Sequence, residues 1–75
     1  LTLEPGQASH WHRHTMHYLF VVTEPGTLKA EYEDGTSAVH EYKLGEVVMG
    51  QKESVHRVIN VGNARWSNAI VELKH

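Results

Sequence analysis

The sequence predicts an all-β domain, an antiparallel sandwich or barrel of seven or so short strands. Gly and Pro punctuate it at short, even intervals, at Pro5-Gly6, Pro25-Gly26, Asp34-Gly35, Gly45, Gly50 and Gly62-Asn63, and these are turn signals. The segments between them are too short for ordinary helices and are rich in Val, Thr, Tyr and Ile, which fit a pleated surface. Several alternate apolar and polar residues with a period of two.

Tyr18-Leu19-Phe20-Val21-Val22-Thr23 is a continuous apolar run, the pattern of a strand covered on both faces and central in its sheet. After the Glu24-Pro25-Gly26 turn, Leu28, Ala30 and Tyr32 alternate with Lys29, Glu31 and Glu33, which predicts one dry and one wet face. Asp34-Gly35 is a strong hairpin signal. Beyond it Ala38, His40, Tyr42 and Leu44 alternate with Val39, Glu41 and Lys43 up to Gly45. Val47-Val48-Met49 reads as a short strand, Gln51 to Val55 as a polar loop, and His56 to Val61 as a β-branched strand. After the Gly62-Asn63-Ala64 turn, Ala69, Val71 and Leu73 share one face and Asn68, Glu72 and Lys74 the other, with Ile70 an exception on the polar side.

Seven Lys and Arg against nine Asp and Glu leave a net charge of −2 on 75 residues, a single domain over 1–75. No basic run is present to attract nucleic acid or an anionic membrane, and no apolar stretch approaches the roughly 20 residues of a membrane helix. There are no cysteines, which removes disulfides and thiolate metal sites and is compatible with a reducing, cytoplasmic setting. A chain this small has a thin core and commonly needs a staple; a bound metal or a partner subunit is what remains.

That directs attention to the seven histidines, of which His10, His12, His14 and His17 fall within eight positions. Two residues apart, His12 and His14 project from one face of a strand while Arg13 points the other way. Their spacing of about 6–7 Å lets both rings lean toward one ion. A usable site needs a third ligand from an adjacent strand, and the later histidines are His40, His56 and His75. Histidine pairs also occur on exposed strands without any chemical role.

A longer pattern resolves the choice. Gly6, five residues, His12-Arg13-His14, an apolar strand and Gly26 resemble the first motif of the cupin superfamily, and Gly45, His56 and Asn60, with Gln51 and Glu53 between, have the spacing of the second. The resemblance spans Gly6 to Asn60 and implies a double-stranded β-helix, or jelly-roll cupin barrel. It carries His12, His14 and His56 over as metal ligands. Three imidazoles suit a divalent transition metal such as Zn, Fe, Cu, Ni or Mn better than Mg or Ca. The superfamily's glutamate ligand is missing, its positions being held by Tyr18 and Leu19, and Gln51 and Glu53 replace the second motif's proline and glycine. Water, substrate, His17 or Tyr18 is then the fourth ligand. Trp11 to Val22 and the closing Ile70-Val71-Glu72-Leu73-Lys74 bear a looser likeness to short cupins associated with β-alanine degradation.

Tyr18, Phe20, Met49 and Ile70 are candidates for an apolar pocket beside the ion, with ordinary core as the alternative. His40 reads as a packed, hydrogen-bonded structural residue, and His10 as a loop position. Arg13 and Arg57 point away from the site; Glu46 and Glu53 solvate turns. Trp11 and Trp66 fit either a core or a subunit interface, and a homodimer is expected. The expected function is that of a small metal-dependent enzyme acting on a carboxylate-bearing or oxygen-rich metabolite. The alternatives are a non-catalytic ligand-binding or sensing barrel, and a barrel whose ion is purely structural.

Overall fold

The computed structural model describes residues 1–13, 17–50 and 55–72, the side chains of His12 and Arg13 excepted. These residues form eight strands: β1 (Thr2–Leu3), β2 (His12–Arg13), β3 (Tyr18–Glu24), β4 (Gly26–Tyr32), β5 (Ser37–Tyr42), β6 (Val47–Gly50), β7 (Val55–Asn60) and β8 (Trp66–Glu72). The first sheet has the order β1-β8-β3-β6 and the second β2-β7-β4-β5, and every pairing is antiparallel. Strands from both ends of the chain thus sit side by side in each sheet. No helix among the described residues is long and apolar enough to cross a membrane.

Local chemistry explains where the chain turns. Pro25 carries no N–H and cannot extend a ladder, and at this residue the chain leaves β3 of the first sheet for β4 of the second. The expected Glu24-Pro25-Gly26 turn is therefore a sheet switch. The Asp34-Gly35 hairpin forms as expected between β4 and β5: Gly35 takes φ 90°, the left-handed region. Asp34 Oδ1 accepts from the Thr36 N–H at 2.9 Å and the Thr36 hydroxyl at 2.6 Å, which holds the carboxyl below its ordinary range.

The core between the sheets is Leu3, Val22, Leu28 and Trp66, with Phe20, Tyr42 and Val58 packed against it. Trp66 is only 1% exposed and meets the Phe20 ring edge-on at 6.0 Å and Tyr42 at 5.7 Å, so it belongs to the core. Asn60, 0% exposed, closes one end. Its Nδ2 donates to the carbonyls of Leu3 at 2.9 Å and Ala64 at 2.8 Å, and its Oδ1 accepts from the Gly62 N–H at 2.9 Å. One side chain so joins β1, the end of β7 and the following turn.

Four expectations need correction. β5 ends at Tyr42, leaving Leu44 exposed at a turn, and Val55 opens β7 rather than closing a loop, while Val61 lies beyond the strand. β1 leaves no apolar run in the sequence because two residues suffice for it. β3 is central, flanked by β6 and β8, but covered on one face: Tyr18 and Val22 are buried toward the core, whereas Leu19 and Val21 on the other face are half-buried. The faces of β8 are inverted: Asn68, half-buried, and Ile70, itself 44% exposed, border the cavity, and Ala69 and Val71 are exposed on the outer face. Apolar alternation reports which residues share a face; it does not say which face the opposite sheet covers.

Three carboxylates outside the core are held below their ordinary value of 4.5. Glu24 accepts from Arg65 Nη2 at 3.1 Å and the Ser67 hydroxyl at 3.0 Å, Glu31 from Arg57 Nε at 2.6 Å, and Glu46 from the Lys43 N–H at 3.0 Å. A carboxylate with a depressed folded-state pKa adds stability above its unfolded pKa and loses it as pH falls through the folded one. The melting temperature should therefore fall as pH drops below about 4.5. Glu24→Gln should flatten part of that fall in a pH series of thermal melts.

Candidate metal centre

Two of the three histidines of the expected frame, His12 and His56, come from strands distant in sequence. β2 pairs with β7 in a register that sets the backbone of His12 opposite that of His56 and Arg13 opposite Val55. Residues paired in this way occupy the same face of an antiparallel sheet. The approach of the chain to β2 is fastened to β7 as well: the Gly6 N–H donates to the Asn60 carbonyl at 2.8 Å, the Ser9 N–H to the Val58 carbonyl at 2.8 Å, and the Val58 N–H to Ser9 Oγ at 3.0 Å. These bonds fix the register that brings position 12 to position 56.

On its other side β7 pairs with β4, where Tyr32 is opposite His56, and the two rings meet edge-on with centroids 6.0 Å apart. The half-buried His56 lines a cavity of about 310 Å³ between the sheets. Tyr18, Tyr32, Tyr42 and Asn68 supply its polar groups; Phe20, Leu28, Val48, Val58 and Trp66 are among its apolar walls. Neither Lys, Arg, Asp nor Glu lines it among the described residues. Burial pushes the Tyr42 hydroxyl above its ordinary pKa, with the Glu46 carboxylate adding to the shift, so it stays a neutral donor. Trp66 Nε1 and Asn68 Oδ1 are buried with no hydrogen-bond partner among the described residues. A buried donor and a buried acceptor thus belong to residues that border the cavity.

Tyr18, Phe20, Met49 and Ile70 all border this cavity. Met49 belongs to its rim, since its register opposite Leu19 puts it on the outer face of the first sheet. Tyr18 needs Gly50 opposite it: a Cβ at Gly50 would collide with the tyrosine ring. Gly50→Ala should cost about 1–3 kcal/mol through displacement of Tyr18, read as a lower urea midpoint. A matching Tyr18→Ala background should abolish most of that penalty.

His17 precedes β3, is half-buried and does not line the cavity. His14, the His12 side chain, the Arg13 side chain, Gln51 and Glu53 lie outside the described residues. Among the described residues no group of three or more metal-capable side chains gathers. His40 is hydrogen-bonded, as expected, to Glu46 Oε2 at 3.1 Å and meets the Tyr42 ring at a tilt of 58° with centroids 4.3 Å apart, but it is exposed rather than packed, at a second opening between β5 and β6. Arg57 points to the outer face, between Glu31 and the exposed Trp11 ring, 5.4 Å from its centroid. Tyr32 and Asn68 were not singled out in the sequence. Their place beside the site depends on the pairing of β4 with β7 and of β8 with β3, which no local pattern announces.

The profile of the Cupin_2 family, described as a cupin domain, matches residues 1–71. Among solved structures, a cupin domain from Bordetella pertussis Tohama I is 28% identical with a TM-score of 0.88, over 99% of this chain and 76% of that one. A cupin 2 conserved barrel protein from Salinispora arenicola is 20% identical with a TM-score of 0.67, over 92% of this chain and 55% of that one. Oxalate oxidase is 17% identical with a TM-score of 0.68, over 92% of this chain and 37% of that one. The last two share the fold alone. Comparison with curated protein sequences gives no significant match.

Proposed function

The chain belongs to the cupin domain family, and from that premise we propose that it is a metal-binding cupin that takes a small molecule into the cavity between its sheets. The observation that carries the reading is the register of β2 on β7, which sets the backbone of His12 opposite that of His56, a residue lining that cavity. With His14, these residues would hold a divalent transition metal, Zn, Fe, Cu, Ni or Mn; His17 is a weaker candidate for a fourth ligand because it does not line the cavity. A bound ion would supply Lewis acidity or, as iron or copper, an open position for dioxygen.

The chain's own residues bind and orient. The cavity volume of about 310 Å³ is at the small end of ligand sites. Its walls are largely apolar, and the Tyr18, Tyr32 and Tyr42 hydroxyls can donate to an oxygen-rich ligand. With no Lys or Arg lining it among the described residues, a carboxylate would depend on the ion for charge neutralisation. The looser likeness to cupins associated with β-alanine degradation makes a small carboxylate-bearing metabolite one candidate substrate.

A second reading, a ligand-binding or sensing barrel without turnover, is favoured by one observation: no Asp or Glu lines the cavity among the described residues, so no carboxylate there serves as general acid or base. Elemental analysis of protein purified without added metal tests the shared premise; less than a tenth of an equivalent of transition metal, with none taken up on titration, would refute it. Turnover of small carboxylates and phenols by the metal-loaded protein then separates catalyst from receptor.

A further inference from the structure

β5 and β6 are edge strands of different sheets, and no ladder joins them. A second cavity, of about 210 Å³, opens at the seam between them. Leu28, Ala30, Tyr32, Tyr42, Val48 and Val58 border both this cavity and the one lined by His56. The two spaces therefore adjoin between the same two sheets. Ala30 is opposite Ala38, which also lines the second space, so two methyl groups stand where larger side chains would fill it. Among the described residues its charged or titratable lining, apart from the two tyrosines, is His40 and Glu46, which bond to each other at 3.1 Å at the outer end. The stretch between that pair and His56 is bordered by apolar and tyrosine side chains.

We propose that the two cavities are one binding site, and that its ligand carries an unbranched apolar chain running from an oxygen-bearing head near His56 to the seam between β5 and β6. This rests on the ligand-binding reading given above and specifies the ligand class. His56 is opposite Tyr32 on β4, and His40 is opposite Leu28, four residues further along the same strand. At about 3.3 Å per residue and 4.8 Å per strand, these two corners of the inner face are roughly 16 Å apart. A compact one-ring metabolite does not span that distance. A zigzag of carbons joined by bonds of about 1.5 Å spans it in roughly ten to twelve atoms. Each methylene that leaves water along this apolar path adds affinity, whereas an anionic tail would meet the Glu46 carboxylate at the seam.

The test is a titration with n-alkanols from butanol to dodecanol, run on metal-loaded and on chelator-treated protein. Trp66 borders the first cavity and reports occupancy by its fluorescence once Trp11, the other tryptophan, is replaced as Trp11→Phe. Affinity should rise about three- to fourfold per added methylene and level off near ten to twelve carbons. Ala38 is two residues short of His40, about 6–7 Å, so Ala38→Phe should bring the plateau about five carbons earlier and leave butanol binding within twofold. Val39→Phe, on the outer side of the same strand, should change nothing. Because the chain has no cysteine, Ala38→Cys gives a second readout: saturating decanol should slow its reaction with maleimide at least tenfold, and saturating butanol less than twofold. An affinity that stops rising at four or five carbons would overturn the inference, as would a plateau that Ala38→Phe leaves in place or a thiol at 38 that decanol does not protect. The chain-length profile in chelator stands or falls independently of metal uptake, so failure of this inference is told apart from failure of the metal-binding reading.

Discussion

Replacing His56 with alanine is expected to weaken transition-metal binding by about 100-fold or more, since loss even of a group behind a ligand costs 10- to 100-fold. The register of β2 on β7 makes His56 the cross-strand member of the set, and two ligands from one segment bind far less tightly than three from two. The loss has a thermal signature. Metal at 100 times its dissociation constant stabilises a folded chain by about 2.7 kcal/mol, which in a domain of this size raises the melting temperature by roughly 10–20 °C. That shift should be present in the native chain and absent in the variant. Ligating imidazoles must be neutral, so the native shift should also disappear as pH falls below about 6. The carboxylate-linked loss described above begins lower, below about 4.5, and should persist in the presence of chelator. A native chain that melts at the same temperature with metal and with chelator would remove the ion from any stabilising role.

The largest loss of stability is expected at Asn60. Leucine there would fill the space but strand the Leu3 and Ala64 carbonyls and the Gly62 N–H, all now bonded to one side chain. Each unmet group costs about 1–3 kcal/mol where water cannot reach it. Two of the three bonds are only partly buried, so a total of about 2–5 kcal/mol is expected. A chain of 75 residues has roughly 4–11 kcal/mol to lose, and Asn60→Leu should be largely unfolded in mild urea by circular dichroism. Asn60→Asp keeps the acceptor for Gly62 but loses both donor bonds and adds a buried charge. It should be destabilised too, and less so in acid, where the carboxyl is neutral.

Much of the fold was legible because turn chemistry is local. Asp34-Gly35 announces its hairpin and Gly45 its break, and the short apolar segments between such signals can only be strands. The motif spacing pointed to His56 as the distant partner of His12; the register sets their backbones opposite each other, while the His12 ring and His14 lie outside the described residues. What stayed hidden is what depends on pairing between remote strands. Tyr32 becomes a neighbour of His56 only because β4 lies beside β7, and Asn60 becomes a tie because β1 comes to rest on β8 next to it. The misread faces of β8 have a different origin. Ala69 and Val71 do alternate as apolar residues, but they lie on the outer face of the first sheet, where both are exposed.

The order of the strands also governs when the domain can form. Trp66, at the centre of the core, opens the last strand, which must insert between β1 and β3 to complete the first sheet. Until that segment has left the ribosome, the nascent chain has neither its largest core side chain nor the strand that joins its beginning to its middle. Pairings so remote in sequence are slow to form, so the first sheet is expected to close only once β8 has been made, with exposure to aggregation in the interval.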